Sequence, residues 1–122
     1  MDKGQAIQNF WSGFGLTAYD QNSVPDNTPM PYITYTVETG SIGNVLTLTG
    51  SLWYHSNSWK EIQRKADEIG RYIGEHGHKL LKIDNGYILL AQGSPFAQRL
   101  ADDDNTIRRI YINISAEYLT AY

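Results

Sequence analysis

Asp102, Asp103 and Asp104 stand in a row between a Pro95-Phe96 turn and a long alternation of apolar residues, and three carboxylates in one loop invite a divalent cation. The spacing argues against it. A Ca²⁺ loop alternates its ligands as D-x-[DN]-x-[DN]-G and takes a last carboxylate from further on, whereas adjacent aspartates in a loop relieve their repulsion by staying solvated and apart. His55, His76 and His78 are the only histidines. His76 and His78 flank Gly77 beyond a helical segment, no H-E-x-x-H is present, and a zinc site needs more ligands than this pair supplies. Imidazoles near a helix C-terminus, where the dipole favours their positive form, account for the pair without a metal.

Nucleophilic and cofactor chemistry fare no better. With no cysteine, a thiol nucleophile, a cysteine-based zinc site and a disulfide framework are all excluded. Ser51 in "GSL" and Ser94 in "GSP" lack the G-x-S-x-G elbow of a catalytic serine. "GFG" at Gly13 to Gly15 follows a helical segment, whereas a dinucleotide or Walker loop follows a strand and opens a helix. The reading is a chain that is not an enzyme, with no catalytic residue, no cofactor and no metal. A small metal-dependent enzyme, confined to the three histidines and the aspartates, is the alternative from another class, and a small-molecule binding module a third.

Ten Lys and Arg against thirteen Asp and Glu give a formal net charge of −3, with a pI near 5.5. Binding to nucleic acid in general requires several phosphates to be neutralised at once, which this balance disfavours. Basic residues gather only around Arg64, Lys65 and Arg71 and at Arg108-Arg109. No stretch approaches the roughly 20 apolar residues that span a bilayer, and the first residues lack an apolar h-region, so neither membrane nor secretion is expected.

Aromatic usage is more informative: nine Tyr, three Trp and three Phe. Tyr is amphipathic, supplies contact area at low rotamer entropy and is enriched at protein interfaces. Tyr19, Tyr32, Tyr111 and Tyr122 fall in expected loops, at the terminus or on the less apolar strand faces. They are interface candidates, unless they simply cover the second face of a sheet.

The elements that must position these residues read as follows. At 122 residues, with 41% apolar and 19% charged, the chain suits one domain, residues 1–122. Ala6, Ile7, Phe10, Trp11 and Phe14 mark a short amphipathic helix ending among Gly13 and Gly15. "TAYDQNSVPDNTPMP" reads as a loop of about fifteen residues. "YITYTVETG" and "NVLTLTGSLWYHS" alternate as two antiparallel strands turned by "SIGN", the second placing Leu46, Leu48, Leu52 and Tyr54 on one face. Ser58 to Glu61 reads as a capping box opening a helix whose stripe is Trp59, Ile62, Ala66, Ile69 and Ile73, with Gly70 allowing close approach to the sheet. Asn85-Gly86 predicts a two-residue type I′ hairpin turn. Ile110, Ile112, Ile114, Ala116 and Tyr118 share one face of a long, central last strand. The fold class is α+β, a mainly antiparallel sheet with helices on one face, in the order helix, strand, strand, helix, strand, strand, strand.

"FWSGFGLTAYDQNSVPD" with "MPYITY", then "LTGSLWYHSNSW", then "GSPFAQRLADDDNTIRRIYINISAEYLTAY" together resemble the tail terminator family, the tail-to-head joining and tail completion proteins of phages and prophages of Gram-positive hosts. The resemblance runs almost end to end and carries no catalytic signature. It implies a small α+β virion protein, assembled in the host cytoplasm, that forms a hexameric ring on the last tail-tube ring and offers a docking face to the head connector. A head-completion or neck adaptor on the portal side is the alternative within the same machinery. On this reading the loops at 19–31 and 94–106 contact tube and connector. Pro95 and Phe96 anchor the second loop, Gln98 and Arg99 reach a neighbour, and Asp102 to Asp104 sit on an exposed rim or line a channel through which DNA passes.

Overall fold

Ile107–Thr120 alternates apolar and polar residues along its length, and from Ile110 onward every second residue is buried. A strand of that length fills its buried face only if helices cover it and ladders flank it on both sides. The computed structural model, which describes residues 1–40 and 42–120, shows that arrangement. The elements are α1 (Lys3–Ser12), β1 (Ala18–Asp20), β2 (Tyr32–Tyr35), β3 (Val45–His55), α2 (Lys60–Gly74), β4 (Lys79–Ile83), β5 (Gly86–Leu100) and β6 (Ile107–Thr120). Six strands form one sheet in the order β1-β2-β3-β6-β5-β4, antiparallel except for the β1–β2 pair. The α+β class and the central place of the last strand are as expected.

Both helices lie over the same face. Ile7, Phe10 and Trp11 of α1 and Ile62, Ile69 and Ile73 of α2 join Leu48, Leu52, Ile110, Ile112 and Ile114 in one core. Two glycines admit the helices. A Cβ on Gly50 of β3 would stand 2.6 Å from the Trp11 ring, so the missing side chain is the seat of the indole. On α2, a Cβ on Gly70 would stand 3.1 Å from the Phe96 ring, and Gln92 Nε2 donates to the Gly70 carbonyl at 2.8 Å. α2 therefore approaches the sheet closely at Gly70, as the sequence suggests. No helix among the described residues is long and apolar enough to cross a membrane.

Five local expectations are corrected. The loop after α1 contains β1, whose Ala18 is buried and whose register pairs Tyr19 with Thr34 in parallel, so the order becomes α-β-β-β-α-β-β-β. β2 stops at Tyr35, with Thr36 N–H donating to the Thr49 carbonyl at 3.0 Å, so a longer excursion than the "SIGN" turn joins β2 to β3. The capping box belongs to the other helix. Asp2 Oδ1 accepts from Gln5 N–H at 2.8 Å and Asp2 N–H donates to Gln5 Oε1 at 3.0 Å, whereas α2 has Trp59 at its N-cap and Ser58 accepts from Lys60 N–H at 3.1 Å. The β4–β5 turn is Asp84-Asn85 between paired Ile83 and Gly86, and of its two residues only Asn85 has a positive φ, 63°. Gly86 is already strand, paired with Thr120, and a Cβ there would meet the Leu119 carbonyl at 2.1 Å, so the close approach to β6 requires glycine.

The fifth correction bears on function. Residues 94–100 are strand, not loop: β5 pairs with β6 through Gln92↔Ile114, bulges, and resumes at Ala97↔Ile112. A bulge excuses Pro95 from donating to the ladder, and Gly93 is needed because a Cβ there would stand 2.7 Å from the Asn113 carbonyl. Only residues 101–106 connect β5 to β6.

Gly50→Ala forces the Trp11 indole to move within a filled core, and overpacking of this kind costs about 1–3 kcal/mol. Urea unfolding should show a lower midpoint with an unchanged slope; an unchanged midpoint would mean that the Trp11 contact does not set the helix–sheet distance.

Candidate interaction face

The alternation that buries one face of the sheet sends the intervening side chains to the face without helices. Strand register places them in two adjoining rows. Tyr32, Trp53, Arg109 and Leu100 form one, and Tyr19, Thr34, Ser51, Tyr111 and Gln98 the other. Tyr19 and Tyr32 meet edge to face, centroids 5.9 Å apart, and Tyr32 stacks on Trp53 at 6.3 Å. The Arg109 guanidinium lies 4.6 Å from the Trp53 centroid and 5.8 Å from that of Tyr111. Four rings and one cation thus form a continuous strip across β1, β2, β3 and β6.

Hydrogen bonds lock the strip. Arg109 donates from Nε and Nη2 to Ser51 Oγ at 3.2 and 3.1 Å, and Trp53 Nε1 donates to Thr34 Oγ1 at 3.0 Å. Ser51 and Thr34 are buried, so the large side chains both cover these hydroxyls and satisfy them. Beside the strip, Asn113 Nδ2 donates to the Pro95 carbonyl at 3.1 Å and to Gln98 Oε1 at 3.3 Å. Burial, and then the neighbouring Tyr19, push the Tyr32 phenol above its ordinary pKa, so its hydroxyl stays a neutral donor and acceptor. Rigid aromatics, an oriented guanidinium and small polar side chains give this face contact area that is already ordered.

Of the sequence candidates, Tyr19, Tyr32, Tyr111 and Gln98 therefore come together on this face, on strands rather than in loops. Pro95 joins them through its carbonyl. Phe96 and Arg99 do not: the Phe96 ring packs beside Gly70, and Arg99 donates from Nε and Nη2 to Gln63 Oε1 of α2 at 3.2 and 3.1 Å. Tyr122 lies outside the described residues. Trp53 and Arg109, which hold the strip together, were missed as site residues. The alternation puts them on the polar faces of their strands, but nothing short of the register shows that they meet.

Asp102 to Asp104 are exposed and occupied with their own loop. Asp102 Oδ1 accepts from Asp104 N–H at 2.9 Å, and Asp104 Oδ1 accepts from the Thr106 N–H at 2.9 Å and its hydroxyl at 2.7 Å. The Thr106 bonds hold the Asp104 carboxyl below the usual Asp range. His55 Nε2 lies 3.1 Å from Thr106 Oγ1, while His76 and His78 are exposed beyond α2. Among the described residues, no group of three or more His, Asp or Glu is placed to hold a metal ion.

No protein-family model and no curated protein matches the sequence. Among solved structures, the fold is similar to that of a chain in the "virion of native gene transfer agent (GTA) particle", with a TM-score of 0.66 and 15% identity, covering 97% of this chain and 92% of that one. The two chains share a fold over nearly their whole lengths.

Two measurements check the site. A double-mutant cycle of Trp53→Leu and Arg109→Met should give a coupling of about 0.5–1 kcal/mol; additive effects would show that the guanidinium and indole ignore each other. Because the Asp104 pKa is depressed in the fold, its contribution to stability exists above the unfolded Asp value and is lost as pH falls through the folded one. Carboxyl carbon NMR should find Asp104 titrating below the ordinary Asp range, and Thr106→Val should return it upward.

Proposed function

We propose that this chain is a structural component of a phage-like virion and acts without catalysis as a tail terminator. In this role, copies form a ring on the end of the tail tube, stop its growth and present a face to the head connector. The supporting observation is a fold shared over nearly its whole length with a chain of a virion particle, combined with a sheet face that carries a pre-ordered aromatic strip and no helix. The resemblance in "LTGSLWYHSNSW" and in the last strand points the same way and supplies the choice of tail over head.

Mechanistically, the open face is suited to a partner that binds and stays. The strip offers broad π faces and a fixed guanidinium, so docking loses little side-chain freedom. Thr47, Thr49, Ser115 and Asn113 continue the face as small polar residues that let another backbone come close. Tyr19, Tyr32, Tyr111 and Gln98 are the contacts we assign to this surface, to either a neighbouring copy or the tube. Phe96, partly buried, packs beside Gly70 of α2 instead.

Electron microscopy of purified tail tubes incubated with the chain should show rings closing the tube ends, and Tyr19→Ala with Tyr111→Ala should weaken binding at least tenfold while the fold is retained. Binding to isolated connectors but not to tubes would reassign the chain to the neck. Binding to neither would overturn the assembly reading.

A further inference from the structure

The sequence gathers basic residues in the α2 segment, and the open sheet face uses none of them. In the fold, Lys60, Arg64, Asp67 and Arg71 fall at i, i+4, i+7 and i+11 along α2, one exposed stripe running about 16 Å. Arg99, from β5, stands beside it across Trp59, whose ring its guanidinium approaches to 4.9 Å. These six side chains line an open groove. Lys60, Arg64 and Arg71 have no side-chain hydrogen bond or ion pair with any described residue. Four of the ten basic residues of an acidic chain thus surround one groove and, Arg99 excepted, are left unpaired.

The complementary charge lies in the loop between β5 and β6. Asp102 and Asp103 are exposed, and Asp103 has no partner among the described residues. The loop does not fold back on its own groove. Asp104 is held by Thr106, and the Thr106 carbonyl accepts from Ser56 N–H at 2.7 Å, which ties the loop to the end of β3. No ion pair joins the aspartates to Arg64, Arg71 or Arg99 within the chain.

We propose that the groove on α2 receives the Asp102-Asp103 loop of a second copy of this chain, an inference that rests on the assembly reading above. The groove fits carboxylates of a short loop better than the backbone of a nucleic acid. Asp67 lies between Arg64 and Arg71 on the stripe and would repel a chain of phosphates laid along it, whereas two carboxylates can sit on the flanking cations and avoid it. Arg64 and Arg71 can fork onto a carboxylate, and the Trp59 ring, with the Arg99 guanidinium 4.9 Å from its centroid, lines the same groove. Such a contact is steered by charge and weakened by salt, with screening over about 8 Å at physiological ionic strength.

The test is sedimentation velocity on the full chain over a concentration and salt series, with R64E/R71E, D102K/D103K, and the variant carrying all four changes. The altered positions are exposed, so circular dichroism should show the fold retained in each variant. Wild type should associate less at higher salt, each double variant should associate at least tenfold more weakly, and the combined variant should recover. Association indifferent to both double variants would overturn the loop-in-groove contact and leave the assembly reading intact. A monomer under every condition that also fails to bind tail tubes would remove both. If only R64E/R71E has an effect, and wild type alone binds a short DNA duplex with steep salt dependence, the groove belongs to phosphate and the proposal fails.

Discussion

The structure depends on the position of β6. Paired along its length with β3 on one side and with β5 on the other, this strand has no free edge, and its buried residues at 110, 112, 114, 116 and 118 form the floor on which both helices rest. Once that floor faces the helices, the pleat leaves no choice for the residues between, since a period of two sends each of them to the opposite side. Arg109, Tyr111, Asn113, Ser115 and Glu117 become an outer face because Ile110 and its partners must be an inner one. The position of the aromatic strip is in this sense a consequence of core formation.

That outer face combines apolar area with restraint. Aromatic side chains on a bare sheet invite unselective association, yet here Trp53 is occupied by Arg109 on one side and Tyr32 on the other, and its N–H is used by Thr34. The cation keeps water close to the rings and the hydroxyls fix their orientation, so the surface is ordered but not greasy. The two edges of the sheet are managed separately. β1 is only three residues long, and on β4 Lys79 and Lys82 lie over Tyr72 and Tyr87 at 4.7 and 4.6 Å. A short edge strand and lysines along an edge both discourage stray strand pairing.

Much of this was legible in the residues. The alternation in "TIRRIYINISAEYL" and the stripe from Ile62 to Ile73 give the buried faces directly, because burial and periodicity are the same fact seen twice. What escaped depended on distant partners. Pro95 reads as a loop signal, but the ladder around it continues because a bulge absorbs residues 93–96, and only the pairing of Ala97 with Ile112 reveals it. Ser58 matches a capping pattern, but helical geometry begins a residue later at Trp59, whose ring is held between Arg99 and Arg108. Asp2 and Gln5 form the capping box of α1, a signal that is local in the sequence. Trp53 and Arg109 are 56 positions apart, and no local rule joins them.

The two exposed surfaces differ in the physics they offer, and that difference has a consequence for assembly. The strip on the open face is rigid, largely satisfied and weakly charged, so its association should respond to shape and buried area more than to salt. The groove on α2 is lined by Lys60, Arg64 and Arg71, whose side chains have no partner among the described residues, so association through it should be steered by charge and sensitive to ionic strength. In the assembly proposed above, contacts with copies of the chain and with a different structure would lie on opposite sides of one sheet, so neither would block the other. The helices that make the core possible also separate the surfaces: α2 carries the charged groove outward on the layer that covers the sheet, leaving the aromatic strip alone on the reverse.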